Sequence, residues 1–337
     1  MKQSQATEDK VIAAVREFAR SLNSGGRVVA DMSALVDATC QLPLSSFEYW
    51  ERLIRSEFSL ALSESTPPKW KVWARHNVTL TWLDIVSRDG YTREKTLHSL
   101  TGAAPNAFFF GLAVRRLNDW VPQVRKAARE KLPEMAKATD PEIVAEVRCI
   151  VLSNWGSWGR LEQEDKEVVL QLVCDNQVAE LLRSKLISSA SGPMPTLFTQ
   201  LGRTPILDEK MEDIASLAIQ PSVRAKAYRS LFEGRIAWMV GWKWEWTDIR
   251  YCEGREKPII HERELNVQAS LPALLKRSAE DRSSLVRRVS AEVLIRERDS
   301  LGVLAKELAE KFSSDKSRSV SEKGLFALKK LEKSERD

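Results

Sequence analysis

Apolar residues recur along most of this chain with the period of a helix. Over residues 7–22 they fall at Val11, Ala14, Val15, Phe18, Ala19 and Leu22, one stripe of helical period, and Gly25-Gly26 ends it. Ser45 and Glu48 have capping-box spacing and predict a helix through Phe47, Trp50, Leu53, Ile54 and Leu60. Pro67-Pro68 breaks the chain and opens another, with Trp70, Trp73 and Trp82 on one side as core and Gly90 as its stop. Further helices are predicted over 92–100, 106–117, 121–136, 140–154, 164–174 and 176–189. Residues 191–207, rich in Gly and Pro, read as a long connection with at most a turn or two of helix. Helices resume over 208–218 and 222–233, and again from 266 to 333 in four segments.

One stretch breaks this cadence. Trp242, Trp244 and Trp246 alternate with Lys243, Glu245 and Thr247, which is the period of a strand. Glu253-Gly254-Arg255-Glu256 reads as a turn and residues 257–261 as a return strand. A small β-hairpin or extended insertion is therefore expected near 238–263. Its indoles either fold back to cover the helices or project as anchors, since Trp and Arg dominate binding hot spots. In the second case Trp242, Trp244, Trp246, Arg250 and Tyr251 form the partner-binding site. Stacking on nucleobases is a third use. Trp155 and Trp158, set among Asn154, Gly156, Ser157 and Gly159, read as a lid over a hydrophobic edge or as a contact.

The helices also share a motif. Residues 117–132 run Asp119-Trp120-Val121-Pro122, then Val124-Arg125, then Ala127, Ala128 and Leu132. The acid can cap the helix, proline at its start loses no intrahelical bond, and small residues let a neighbouring helix approach. Pro221-Ser222-Val223-Arg224 with Ala227 and Leu231 is alike but lacks the turn aspartate, and Asp281 with Val286-Arg287, Ser290-Ala291 and Leu294 matches too. Weaker copies are Asp89 with Arg93 and Leu97, and Asp315 with Val320 and Ser321, where serine replaces the arginine. Arg93 and Arg125 are 32 residues apart, and Val286 and Val320 are 34.

This pattern resembles the second helix of HEAT repeats, over roughly residues 76–333. The resemblance implies an α-α superhelix, a HEAT-like solenoid over 66–337 preceded by a helical N-terminal cap at 1–65. Stacked helix pairs then supply the core and leave a long concave surface for partners. It further implies that Arg125, Arg224 and Arg287 pair with turn aspartates of adjacent repeats.

Composition narrows the chemistry. With 43% apolar and 29% charged residues the chain is that of a folded protein. Its longest apolar run, 107–114, falls short of the roughly 20 residues a membrane helix needs. MKQSQATEDK has no apolar core, so no secretory leader is expected and a cytoplasmic location is. Four dispersed cysteines and three dispersed histidines predict reduced buried thiols, no metal site and no Cys/His or Ser/His/Asp triad. No phosphate-loop or dinucleotide motif occurs, and no cofactor is expected.

The net charge is only +5, and segment 140–185 leans acidic, but basic residues gather at Arg115, Arg116, Lys126 and Arg129. These four are the candidate phosphate contacts. The leading expectation is a non-enzymatic scaffold that binds a protein partner through its concave face and the Trp-rich insertion. The alternative is a nucleic-acid-binding helical-repeat protein of repair or defence, similar to HEAT-like alkylpurine DNA glycosylases. Its raw materials are Trp120 with Asp119 and Arg125, or Trp246 with Asp248 and Arg250.

Overall fold

A computed structural model of the chain describes residues 2–22, 31–64, 80–172, 176–267 and 269–334. The described residues are mostly helical, at 72%. Sixteen α-helices and one two-stranded antiparallel sheet occur among the described residues. Contacts divide the chain into two units, Met1–Ala179 and Glu180–Asp337. No described helix is long and apolar enough to cross a membrane.

The first unit holds α1 (Lys2–Leu22), α2 (Ser33–Thr39), α3 (Phe47–Glu64) and α4 (Gly90–Ser99). After them come α5 (Ala107–Arg115), α6 (Pro122–Ala138), α7 (Pro141–Asn154) and α8 (Gln163–Gln171). Helix α5 reads AFFFGLAVR, apolar all round, and is accordingly its centre: Phe108, Phe109, Phe110, Leu112 and Val114 are all buried. The Asn106 side chain caps it by accepting from Phe109 N, and donates to Val36 O and Thr39 Oγ1 of α2. The N-terminal helices are thus tied to the helices that follow them. Helix α4 packs on α6 and α6 on α8, while α3 packs on α5 and α5 on α7.

The boundary between the units falls in α9 (Asn176–Ser188). The second unit continues with α10 (Met194–Leu201), α11 (Met211–Leu217) and α12 (Pro221–Glu233). Strands β1 (Arg235–Asp248) and β2 (Glu253–Glu264) come next, then α13 (Leu271–Ala279), α14 (Ser284–Glu297), α15 (Val303–Ser313) and α16 (Arg318–Ser334). Alternate helices again touch, α10 to α12 to α14 to α16. Their core gathers Leu275, Ala291, Leu294, Ala305, Phe312 and Val320.

Several expectations change. The connection at 191–207 carries about two turns of helix, within the expectation, but these turns, α10, are part of the core, with Leu197, Phe198 and Leu201 buried. The α10 proline sits in the first turn, where no hydrogen bond is lost. Helix α2 has no sequence forecast. Trp82 is buried as expected, but on a short 3-10 helix, Trp82–Val86. Trp70, Trp73 and Cys174 lie outside the described residues. Trp155 is buried, and Trp158 is half-buried. Cys149 is buried, whereas Cys40 and Cys252 are exposed, contrary to the expectation of buried thiols.

Arginine–carboxylate pairs recur with one geometry. Arg224 donates through Nε and Nη2 to both oxygens of Asp281 at 2.8 Å, and through Nη1 to Ala218 O six residues back. Arg287 does the same with Asp315, at 2.6 and 2.9 Å, and with Asp281 O. In the first unit Arg93 holds Asp119 at 2.9 and 2.7 Å together with Ser87 O. Arg125 donates to Asp119 O and to Glu162, a glutamate where the pattern predicts aspartate. Asp89 is only the N-cap of α4, accepting from Tyr91 N and Thr92 N. The accepting aspartates cap turns as well, since Asp119, Asp281 and Asp315 each accept from the amide two residues on.

Burial ranks these pairs. The Arg224 side chain is 2% exposed and that of Arg287 is 19% exposed. Removing one partner of a buried pair strands the other charge. Arg224→Ala should therefore lower unfolding free energy by about 3–5 kcal/mol, and Arg287→Ala by about 1–3 kcal/mol, the scale of a charged hydrogen bond. Denaturant unfolding of the two variants checks both the size and the order.

Candidate functional site

The hairpin is rooted in the second unit before it projects. Gly234 ends α12 with φ of 65°, a left-handed conformation that favours glycine, and its carbonyl accepts from Leu265 N where the strands close. Ile236 is buried against Gly202, where an added Cβ would lie 2.9 Å from Ile236 Cγ2. Arg263 clamps Asp208 through two bonds of 2.6 and 2.9 Å and also donates to Gly202 O and Thr204 O. Trp238 lies edge-on to His261, and the Arg203 guanidinium sits 5.6 Å from the indole centroid. Root and helices are thus joined by a buried aliphatic contact and a bidentate ion pair.

A bulge then changes which face each residue occupies. Met239 pairs with Ile260 and Gly241 with Ile259, so Val240 is an extra residue in β1. It shifts the alternation by one. Trp238 shares a face with His261 and Arg263 at the root, whereas Trp242, Trp244 and Trp246 lie opposite Pro258, Glu256 and Gly254 on the other face. These three indoles are 57%, 52% and 53% exposed, which overturns the expectation that they fold back onto the helices. Met239 and Ile260 prolong the same face and are half exposed.

The indoles are ordered by their neighbours. Trp244 and Trp246 meet edge to face at 5.6 Å, a favoured aromatic geometry. Trp244 also lies over Gly254, where a Cβ would approach its Cε2 to 2.5 Å. On the reverse face Glu245 pairs with Lys257 at 3.1 Å and Arg255 at 3.7 Å. The Lys257 hydrogen bond holds the Glu245 carboxyl below its ordinary value. The turn falls at Ile249–Tyr251 with Cys252 left-handed at φ 53°, so Glu253 and Gly254 belong to β2 and not to the turn. Asp248 accepts from Arg250 through both backbone and guanidinium, which lowers its pKa. Arg250 rests 5.8 Å from the Tyr251 ring, and Ile249 and Tyr251 are about three-quarters exposed.

All five hairpin residues singled out in the sequence are thus exposed together on this one element. Sequence reading missed the root, because Asp208 and Gly202 lie far from Arg263 in the chain. It also missed Met239, Ile249 and Ile260, although an isoleucine pair in a return strand must send one side chain to each face.

The four basic residues fare differently. Arg116 is buried and bonds Glu51 at 2.6 Å and Asp119 at 3.1 Å. Arg115 joins the same Glu51, and Arg129 bonds the fully buried Asp165 at 2.8 Å. Lys126 alone extends into solvent, near Glu130. Asp119 is occupied as a turn cap and ion-pair acceptor. Burial works to raise the pKa of Glu51, and Arg116, Arg115 and Arg55 outweigh it, so the net shift is downward. Among the described residues, no group of three His, Cys, Asp or Glu side chains is placed to hold a metal ion.

Two outcomes follow. The variant W242S/W244S/W246S should keep the parent melting temperature within a few degrees, because surface substitutions change stability little. It should also lose a large part of the acrylamide-quenchable tryptophan emission, the exposed Trp120 accounting for quenching that remains. Glu51 is depressed in the folded state, so its ion pairs contribute fully above the ordinary glutamate range and are lost as pH falls through and below it. The stability gap between wild type and Glu51→Gln should therefore narrow below pH ~4, read by denaturant titrations at successive pH values.

Comparison with known proteins adds no family to this description: no protein-family model matches the chain, and no curated protein matches it.

Proposed function

We propose that the chain is a binding protein, a HEAT-like α-solenoid that engages a protein partner through its hairpin. The solenoid reading is supported by the alternate-helix packing within each unit and by arginines that reach the acid of a later turn. The observation that carries the function is the row of exposed indoles on a rooted strand pair. Such a row is an aggregation liability unless something covers it. Ordered aromatic side chains also lose little entropy on binding, and buried Trp and Arg anchors dominate protein interfaces. Arg250 and Tyr251 at the tip, with Glu256 beside the indoles, supply a polar rim. No catalytic role is assigned.

Affinity capture from a nuclease-treated extract should retain a stoichiometric protein partner with the wild-type chain and lose it with W242S/W244S/W246S. Arg263→Ala, which unties the root from Asp208, should weaken capture while leaving the indoles in place. Partner retention by the triple variant, or loss of the partner on nuclease treatment alone, overturns the reading.

A further inference from the structure

The first unit contains a second feature, independent of the hairpin. A cavity of about 450 Å³ opens between α3, the segment preceding α4, and the turns that follow α5 and α7. Seven arginines line it against three carboxylates, Glu48, Glu51 and Asp119. Its volume lies in the range of small-molecule sites.

The distribution of charge sets what such a cavity takes. At its floor Glu51 alone serves Arg55, Arg115 and Arg116, and Asp119 serves Arg93 and Arg116. The side chains of both acids are at least nine-tenths buried. Four guanidinium groups therefore share two buried carboxylates. The Nε–H of buried Arg116 has no acceptor among the described residues. At the rim Arg52 pairs with Glu48 in solvent, whereas Arg88 and Arg160 are exposed and make no ion pair among the described residues. The excess of four positive charges is concentrated in one concavity, which raises the local concentration of anions. The guanidinium fork matches the oxygens of phosphate, so several arginines around one opening favour a phosphate over a halide or a single carboxylate.

The remaining wall narrows the ligand further. Trp120 lines the same cavity, is 67% exposed, and has Arg93 5.8 Å from its ring centroid. Its neighbours Asp119 and Val121 are fixed by the turn that caps α6. An ordered, exposed indole beside a phosphate-sized cationic hollow is suited to a planar base carried on a phosphate ester. We propose that this cavity binds a nucleotide, its phosphates among Arg88, Arg160 and the floor arginines and its base on Trp120. The nucleotide is either free or part of a strand, and the chemistry recognised is the same.

The test uses the full chain with three probes: inorganic pyrophosphate, ADP, and a fluorescein-labelled single-stranded oligonucleotide. ADP should bind with a dissociation constant below about 1 mM at low salt and quench tryptophan emission. The exposed double variant R88A/R160A should weaken ADP and pyrophosphate by roughly tenfold or more, the scale of lost charged hydrogen bonds. Trp120→Ala should weaken ADP while leaving pyrophosphate unchanged, a split that a general loss of structure does not produce. Tighter binding of the oligonucleotide than of ADP, falling steeply with salt and sensitive to the same variants, identifies a strand as the source. Failure of all three probes to bind, or binding that R88A/R160A leaves unchanged, overturns the proposal. Because the hairpin variants do not touch this cavity, ADP binding by W242S/W244S/W246S keeps the two readings separable.

Discussion

A guanidinium group held between a carbonyl of its own turn and the aspartate of a later turn is the contact on which each unit depends. Arg93, Arg224 and Arg287 all use it, with Nη1 on the carbonyl six residues back and Nε and Nη2 on the carboxylate. An apolar stripe is tolerant, since a helix can slide by a turn and still bury leucines. A bidentate ion pair is not tolerant, because an arginine moved by one turn leaves both charges buried and unpaired. The aspartates are themselves immobilised by the amides they cap. Each pair thus fixes the distance and angle between one turn and a later one, and small residues such as Ala227 and Ala291 fill the close approach.

The same device roots the hairpin. Arg263 also holds Asp208 bidentately, but end-on through Nη1 and Nη2 with Nε on Gly202 O, and it fastens a strand to a helical unit and does not join two helices. With Ile236 buried beside Gly202, the hairpin's base is determined by contacts that its outer half does not share. The outer half is consequently free to carry side chains that a helical core has no room for. This separation lets three indoles stand in solvent while the root of the same strand pair is packed on the helices.

In the first unit the fork is used to excess. Where α3 meets the turn after α5, arginines outnumber the acids that neutralise them. Glu51 and Asp119 each hold more than one arginine, and Arg88 and Arg160 pair with no carboxylate among the described residues. Spent on register, the arginine–acid pair is silent at the surface; in surplus it becomes a property of the surface. The two proposed sites therefore rest on different physics, apolar area on the hairpin and unbalanced charge in the cavity.

Helical content, most helix positions and the hairpin were legible in the sequence because each depends on local periodicity: 3.6 residues for α1 or α6, two for Trp242–Lys243–Trp244. The pairing of Arg224 and Arg287 with turn aspartates was implied by the resemblance of their helices to HEAT repeats, although the acids themselves lie 57 and 28 residues further along the chain. The burial of α10 was not legible, because proline and glycine punctuate its ends and its burial comes from the strand root and α12. The face occupied by the indoles was decided by Val240, one bulged residue whose effect exists only once β1 is paired with β2. The fate of Arg115, Arg116 and Arg129 was likewise tertiary. Apart from Asp119 beside Arg116, their carboxylate partners come from segments 36–65 residues away, and charge in a sequence carries no record of what will neutralise it. Local spacing determined the elements of this protein; which side chains remain available to a partner was decided by pairing across distances that no local pattern encodes.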